Sequence, residues 1–386
     1  MSPSVGKLPD VGTTIFTVVS QRAQELGAIN LAQGFPDYDV DPELIELISQ
    51  QLRAGRNQYA PMAGVPELRR EIAAKLQRSY SIEVDADREI TITVGGTEAL
   101  FSAIAACIGP GDEVIVFDPA YDSYDPAVRV VGGKCVHLAL QPPAFRIPWA
   151  EVAPAITSRT RMIIVNNPHN PACTVFDRSD VEALAKLVQR HDLLVLADEV
   201  YEHVVLDGRA HHSVLSDPVL RARSFAVFSF GKTFHATGWR LGYCVAPPPL
   251  AAEFRKVHQF NTFAVFTPGQ YAIAEYLRLR PQRPAELPAF FARKRDRFCS
   301  HLEGSRFSWE PAAGTYFQLL DYSRIADEDD VTFADTLIRN AGVAAIPLSP
   351  FYSRAHGEPP RLRLLRFCIA KRDETLEAGA QRLRSF

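Results

Sequence analysis

The feature that most limits the fold of this chain is an alternation, repeated through its middle, of short apolar runs with helix-period segments. The runs cover residues 90–94, 113–117, 162–165, 193–197, 224–228 and 241–246. Stretches such as 98–108 and 179–190 between them carry apolar residues three and four apart. A run that is apolar at successive positions suits a strand buried on both faces. Strand and helix in repeated succession then predict an α/β fold, a mostly parallel sheet covered by helices. Near 281–288, Pro281, Pro284 and Pro288 interrupt a helical pattern and mark a boundary. Beyond it, strand-like runs at 314–320, 344–347 and 362–370 mix with helices and predict a smaller α+β domain. Residues 11–37 are expected to fold back onto that smaller domain. For 386 residues, two domains are the default.

Charge and composition narrow the function. The formal net charge of −3 supplies no basic field for nucleic acid or a membrane surface. No run approaches the roughly 18 apolar residues of a membrane helix. Six cysteines lie far apart without a C-x-x-C pair, and residues 1–9 hold no long apolar stretch, so a cytosolic protein is expected. The ten histidines show no metal-ligand spacing.

In an open parallel sheet, ligands bind outside the carboxyl ends of the strands, so the residues that follow each apolar run are informative. Gly95, Gly96 and Thr97 follow the first; Asn166 to Pro171 follow the third; Asp198 to Tyr201 the fourth; Ser229 to Thr233 the fifth. Glycines, a hydroxyl, an amide, a carboxylate and an amine thus converge on one edge, as a phosphorylated, charged ligand requires. Singly, each has a plainer reading. The glycine pair followed by Thr97 is either an anion-ready helix start or a simple turn with a threonine cap. Asn170 suits a turn that bonds its own backbone. Asp198 suits a structural arginine pair as well as a ligand cation.

Lys232 is more decisive. It follows an apolar strand and sits among Phe230, Gly231, Phe234 and Trp239. Apolar surroundings disfavour the ammonium form, which lowers the pKa and makes the amine a nucleophile. Two rival motifs fail on this segment. A P-loop needs glycine where Ala226 stands. The acyl-serine pattern Ser229-x-x-Lys232 lacks its S-D-N and K-T-G companions. A Schiff-base lysine remains.

These residues sit in longer stretches: NLAQGFPD at 30–37, NQY at 57–59, DPAYDSY at 118–124, NPHNP at 167–171, DEVYEH at 198–203, SFGKTF at 229–234, HATGWR at 235–240 and LRFCIAK at 365–371. In kind and order they resemble the fold-type I, pyridoxal-phosphate-dependent class I/II aminotransferases, most closely the branch of bacterial methionine aminotransferase and the kynurenine–oxoglutarate and glutamine transaminases. The resemblance implies an N-terminal arm at 1–12, a large cofactor domain at 39–280 and a small domain of 13–38 plus 281–386. It implies that Lys232 bonds pyridoxal 5'-phosphate covalently, that Asp198 pairs with the pyridine nitrogen, and that Asn170 and Tyr201 bond the ring's phenolic oxygen. Tyr121 would stack on the ring, while Gly96, Thr97, Ser229 and Arg240 would hold the phosphate. Tyr59 would reach that phosphate from the second subunit of a homodimer. Arg366 would clamp the substrate carboxylate, helped by the backbone near Gly34 and by Asn170, with a planar fork that lysine lacks.

Phe16, Tyr124 and Phe263 are candidates for the side-chain pocket, although core packing explains them nearly as well. Ala172 and Cys173 depart from the Thr-Gly that follows this Asn-Pro pair in the family. The implied activity is ping-pong transamination of methionine, aromatic or glutamine-type amino acids with a 2-oxo acid acceptor. Kynurenine–oxoglutarate transamination or β-elimination from cysteine conjugates are the alternatives as main activity. A DNA-binding regulator of the same fold would need a helix-turn-helix module, for which residues 1–10 are too few.

Overall fold

The computed structural model describes residues 6–353 and 361–386; positions 1–5 of the expected arm and 354–360 of the expected small domain lie outside the described residues. The strands are β1 (Ile29–Asn30), β2 (Ile90–Thr93), β3 (Glu113–Asp118), β4 (Lys134–Ala139), β5 (Thr160–Asn166), β6 (Leu194–Asp198), β7 (Ser224–Ser229), β8 (Gly242–Val245), β9 (Phe317–Asp321), β10 (Val343–Ala344), β11 (Ile346–Pro347) and β12 (Leu364–Cys368).

Seven of them form one sheet in the order β2-β8-β7-β6-β5-β3-β4. All neighbours run parallel except β8, which is antiparallel to β2 and β7. Successive side chains leave a strand on opposite faces, and both faces here are dry. Ile163, Val195 and Phe228 enter one core cluster, whereas Met162, Ile164, Leu196 and Phe225 enter the other. That is why these strands read as unbroken apolar runs. The expected α/β class is therefore found. The edge strand β4 is absent from the sequence expectation. It reads KCVHLA, with exposed ends and Cys135 as its one fully buried residue, because an edge strand shares the apolar burden of the sheet only in part.

A second group of strands follows. β11, β12 and β9 form an antiparallel sheet, and β1 pairs in parallel with β10. The segment before the large sheet thus does come back onto the C-terminal part, with Ile29 beside Val343. A third core cluster, including Phe291, Phe333 and Phe367, underlies these strands. The single run expected at 344–347 is two short strands, since β10 and β11 join different sheets. The proline-marked break is narrower than expected. One helix ends at Leu279 and the next, Arg283–His301, runs straight through Pro288. Pro284 occupies the first turn, where no N–H is needed, and Pro288 removes one bond near the start of a long helix.

Candidate active site

The carboxyl ends of β2, β5, β6 and β7 open on one cavity, roofed by residues from either end of the chain. Lys232, Asp198, Tyr201, Gly96, Thr97, Tyr121, Asn170, Ser229, Arg240, Gly34, Arg366 and Phe16 all line it. Tyr59 does not: it is 83% exposed and lies edge-on to Phe263, ring centroids 5.4 Å apart. Phe263 and Tyr124 do not line the cavity either. Phe263 sits outside, and Tyr124 is buried behind the site, where its hydroxyl donates to Asp198 Oδ2 at 2.7 Å.

Asp198 is the last residue of β6, a central strand, and is 4% exposed. Burial raises its pKa to about 6, against the opposing bonds from Tyr124 and the Val200 N–H. A carboxylate held this way is poised for a cation in the cavity. Lys232 stands on a single helical turn, Phe230–Thr233, directly after β7. Burial lowers its pKa to about 8. Its Nζ donates to Gly34 O at 3.4 Å and lies 5.6 Å and 5.4 Å from the ring centres of Tyr201 and Tyr316. The amine is thus within reach of its neutral, nucleophilic form at mildly alkaline pH.

The glycines after β2 belong to a helix start, Gly95–Cys107, with no side-chain cap, so the threonine-cap reading fails and free N–H groups face the cavity. Gly95 has φ +72°, and a Cβ there would come within 2.8 Å of the Arg240 guanidinium. Behind it, a Cβ on Gly242 would meet Phe228 O at 2.6 Å and the Gly95 carbonyl carbon at 2.9 Å. Two glycines therefore let the turn and β8 close up, and Arg240, Ser229 and the helix start at Gly96 and Thr97 line the cavity together.

Arg366 lies mid-strand in β12, between Leu319 and Ile346, and is 1% exposed. Its guanidinium stacks 3.8 Å from the Phe317 ring centre and 5.1 Å from that of Phe16. It donates to Asn170 Oδ1 and, at 3.3 Å, to Ala32 O, while its Nε has no partner. A buried cation with neutral partners and a spare donor is suited to an anion such as a carboxylate. The loop that supplies Asn170 is fixed by Asn166, whose Nδ2 donates to Asp198 O at 2.8 Å and whose Oδ1 accepts from the Asn170 N–H at 2.7 Å.

Sequence reasoning missed several contributors. Asn166, Leu100, Val200 and Phe317 line the cavity. Asn166 ends an apolar strand and was open to the same argument as Asp198. Tyr316, whose hydroxyl donates to Gly34 O at 2.6 Å, offered no local signal. Glu199 faces away, 2.9 Å from His211 Nε2 and accepting from the Val214 N–H at 2.9 Å. His169 is a buried structural residue: burial lowers its pKa to about 4, and its Nδ1 accepts from the Ala172 N–H. Cys173 takes φ +62°, the left-handed conformation that explains a glycine at this point of the loop.

Comparison with known proteins agrees with this arrangement. The family model for aminotransferase class I and II matches residues 27–383. The methionine aminotransferase of Escherichia coli K12 is 50% identical over 378 residues, covering 98% of this chain and 97% of its own. A crystal structure from Escherichia coli, identified as a methionine aminotransferase, superposes with a TM-score of 0.97 at 50% identity and covers 100% of both chains. Human kynurenine–oxoglutarate transaminase 1 is 33% identical over 395 residues, 94% of this chain and 93% of the relative. With that match over nearly its whole length, and with a buried lysine, a buried carboxylate and a buried arginine around one cavity, this chain belongs to the class I and II aminotransferases.

Proposed function

We propose that the protein transfers amino groups from methionine, aromatic or glutamine-type amino acids to a 2-oxo acid with pyridoxal 5'-phosphate as cofactor, in a ping-pong cycle. The observation that carries this reading is the placement in one cavity of Lys232, whose amine is partly neutral near pH 8, and Asp198, a buried carboxylate that accepts from the Tyr124 hydroxyl and feels the charge of Lys232. The donor set suits the cofactor: Asp198 for a ring N–H, Asn170 and Tyr201 for the phenolic oxygen, Tyr121 for the ring face. Gly96, Thr97, Ser229 and Arg240 suit the phosphate. When bound, pyridoxal phosphate supplies an aldehyde that takes up the amino group and a ring that accepts electron density as the α-proton leaves.

Lys232 Nζ would hold the cofactor and, as a free base, would take the substrate α-proton and give a proton back. Asp198 would keep the ring nitrogen protonated. Arg366 would bind the α-carboxylate with its guanidinium and so orient the α-hydrogen toward Lys232. The phenyl rings of Phe16 and Phe317 bracket Arg366 and leave an apolar wall for the side chain. Among the described residues lining the cavity, the guanidinium groups are Arg240 and Arg366. Both are engaged by this reading, which leaves no cation for an acidic side chain.

The domain division at 39–280 against 13–38 plus 281–386 is supported by the separate sheets. The exposed pair Tyr59 and Phe263 supports a homodimer in which Tyr59 reaches the partner's phosphate. A cytosolic location is supported by six unpaired cysteines, and no helix among the described residues is long and apolar enough to cross a membrane. A matrix of amino donors and oxo-acid acceptors on purified protein tests the reading. Methionine, aromatic amino acids or glutamine should lead, and K232A should be inactive. A strong preference for aspartate, or normal turnover by K232A, would overturn it.

A further inference from the structure

One partly buried polar cluster has no part in the transamination reading. Asp125, on the helix Tyr124–Val130, and Cys135 and His137, on β4, bring one ligand-capable atom each to within 4.8 Å of one another. None of the three lines the active-site cavity. Cys135 and His137 are alternate residues of a strand and so project from the same face. Asp125 Oδ1 lies 3.5 Å from His137 Nε2.

An independent feature orients this group toward a ligand. His137 Nδ1 lies 2.9 Å from Asp118 Oδ1, and the two side chains are 7% and 5% exposed. A carboxylate on one ring nitrogen fixes the tautomer and presents the other nitrogen as a donor, which is the outer-sphere arrangement of metal-bound histidines. Asp118 is itself tied down, since its Oδ2 accepts from the Ser353 N–H at 2.8 Å. The second oxygen of Asp125 takes Arg129 at 3.2 Å, which leaves Oδ1 to face His137 and Cys135.

We propose that Asp125, Cys135 and His137 form a binding site for a divalent transition ion of the zinc type. The ion would take the Cys135 thiolate, His137 Nε2 and Asp125 Oδ1, with water as the fourth ligand. Bonds of about 2.0–2.3 Å in a tetrahedron put ligand atoms roughly 3.3–3.7 Å apart. The Asp125–His137 separation already meets this, and the thiol has to close in by at most about 1.3 Å. The mixed sulfur, nitrogen and oxygen set favours zinc, cobalt or nickel over magnesium or calcium. Asp125 is 34% exposed at its side chain and gives the ion a way in. Because Asp118 ends β3 three residues before Tyr121, a bound ion would brace the strand end that leads into the cofactor site.

The test uses the full chain, loaded with pyridoxal phosphate and stripped of metal with a chelator. Zn²⁺ is titrated by calorimetry, and Co²⁺ by near-ultraviolet absorbance, where a cobalt–thiolate bond gives a charge-transfer band. One Zn²⁺ per chain and a thiolate band are expected. C135S should lose the band, and C135S, H137Q and D125N should each bind Zn²⁺ at least about tenfold more weakly, with D118N weakened through the outer sphere. Melting of each variant without metal confirms that it is folded, and the exposed position of D125N keeps one probe clear of the core. Absence of the band in the parent chain, or unchanged Zn²⁺ affinity in C135S and D125N, would overturn the site and leave an imidazolium between two carboxylates. Neither result touches the transamination reading, which rests on Lys232 and Asp198.

Discussion

Replacing Asp198 by asparagine should stabilise the cofactor-free protein while destroying its function. Burial holds the Asp198 carboxyl near pKa 6, about two units above its ordinary value of 3.8. A group whose folded pKa is raised takes up protons on folding, so the folded state loses stability as pH climbs from about 4 through about 6 and stays at the lower level above that. At 1.36 kcal/mol per unit, the burden is about 3 kcal/mol at pH 7.5 and about half of that at pH 5. Asparagine removes the charge. It still accepts from the Tyr124 hydroxyl, but its amide would face the Val200 N–H, a donor against a donor, at a cost of about 1 kcal/mol. Cofactor-free D198N is therefore expected to be about 2 kcal/mol more stable than the parent at pH 7.5, with less than about 1 kcal/mol of difference at pH 5. Urea midpoints of cofactor-free protein at the two pH values measure this directly. With saturating pyridoxal phosphate the order should reverse, because the parent alone offers an anion to the ring N–H. A D198N chain no more stable than the parent at pH 7.5, or a gap that ignores pH, would refute the idea that burial at this site outweighs what stabilises the carboxylate.

Three further outcomes follow from the same geometry. R366K keeps the charge but loses the planar fork above Phe317; kcat/KM for the preferred donor should fall roughly 30- to 150-fold, mainly through KM, equivalent to about 2–3 kcal/mol. G242A forces a methyl group against Phe228 O and the Gly95 backbone, and should cost about 1–3 kcal/mol in thermal melting while weakening pyridoxal phosphate in a spectral titration; parent-like values for both would contradict the close packing. Mixing inactive K232A chains with Y59A chains and allowing exchange should restore activity, since one site of each mixed dimer regains both side chains; no recovery in a confirmed mixed dimer would show that Tyr59 serves no partner site.

The sequence by itself revealed the α/β class, because strands buried on both faces leave runs such as 162–165 and 193–197 that need no tertiary knowledge to read. It also revealed the polar residues at their carboxyl ends, whose convergence on one edge, rather than any one of them alone, points to a charged ligand. What it left open are matters of path and proximity. The antiparallel course of β8 and the existence of β4 depend on where each strand enters the sheet, and an edge strand with charged neighbours has a weak pattern of its own. The helix through Pro288 depends on packing that outweighs one lost bond. Tertiary structure alone decided that Tyr124 serves Asp198 rather than the pocket, and that Arg366 meets Asn170 from 196 residues away. Local burial is written in local composition. Which buried group meets which is set by the folded route of the chain between them.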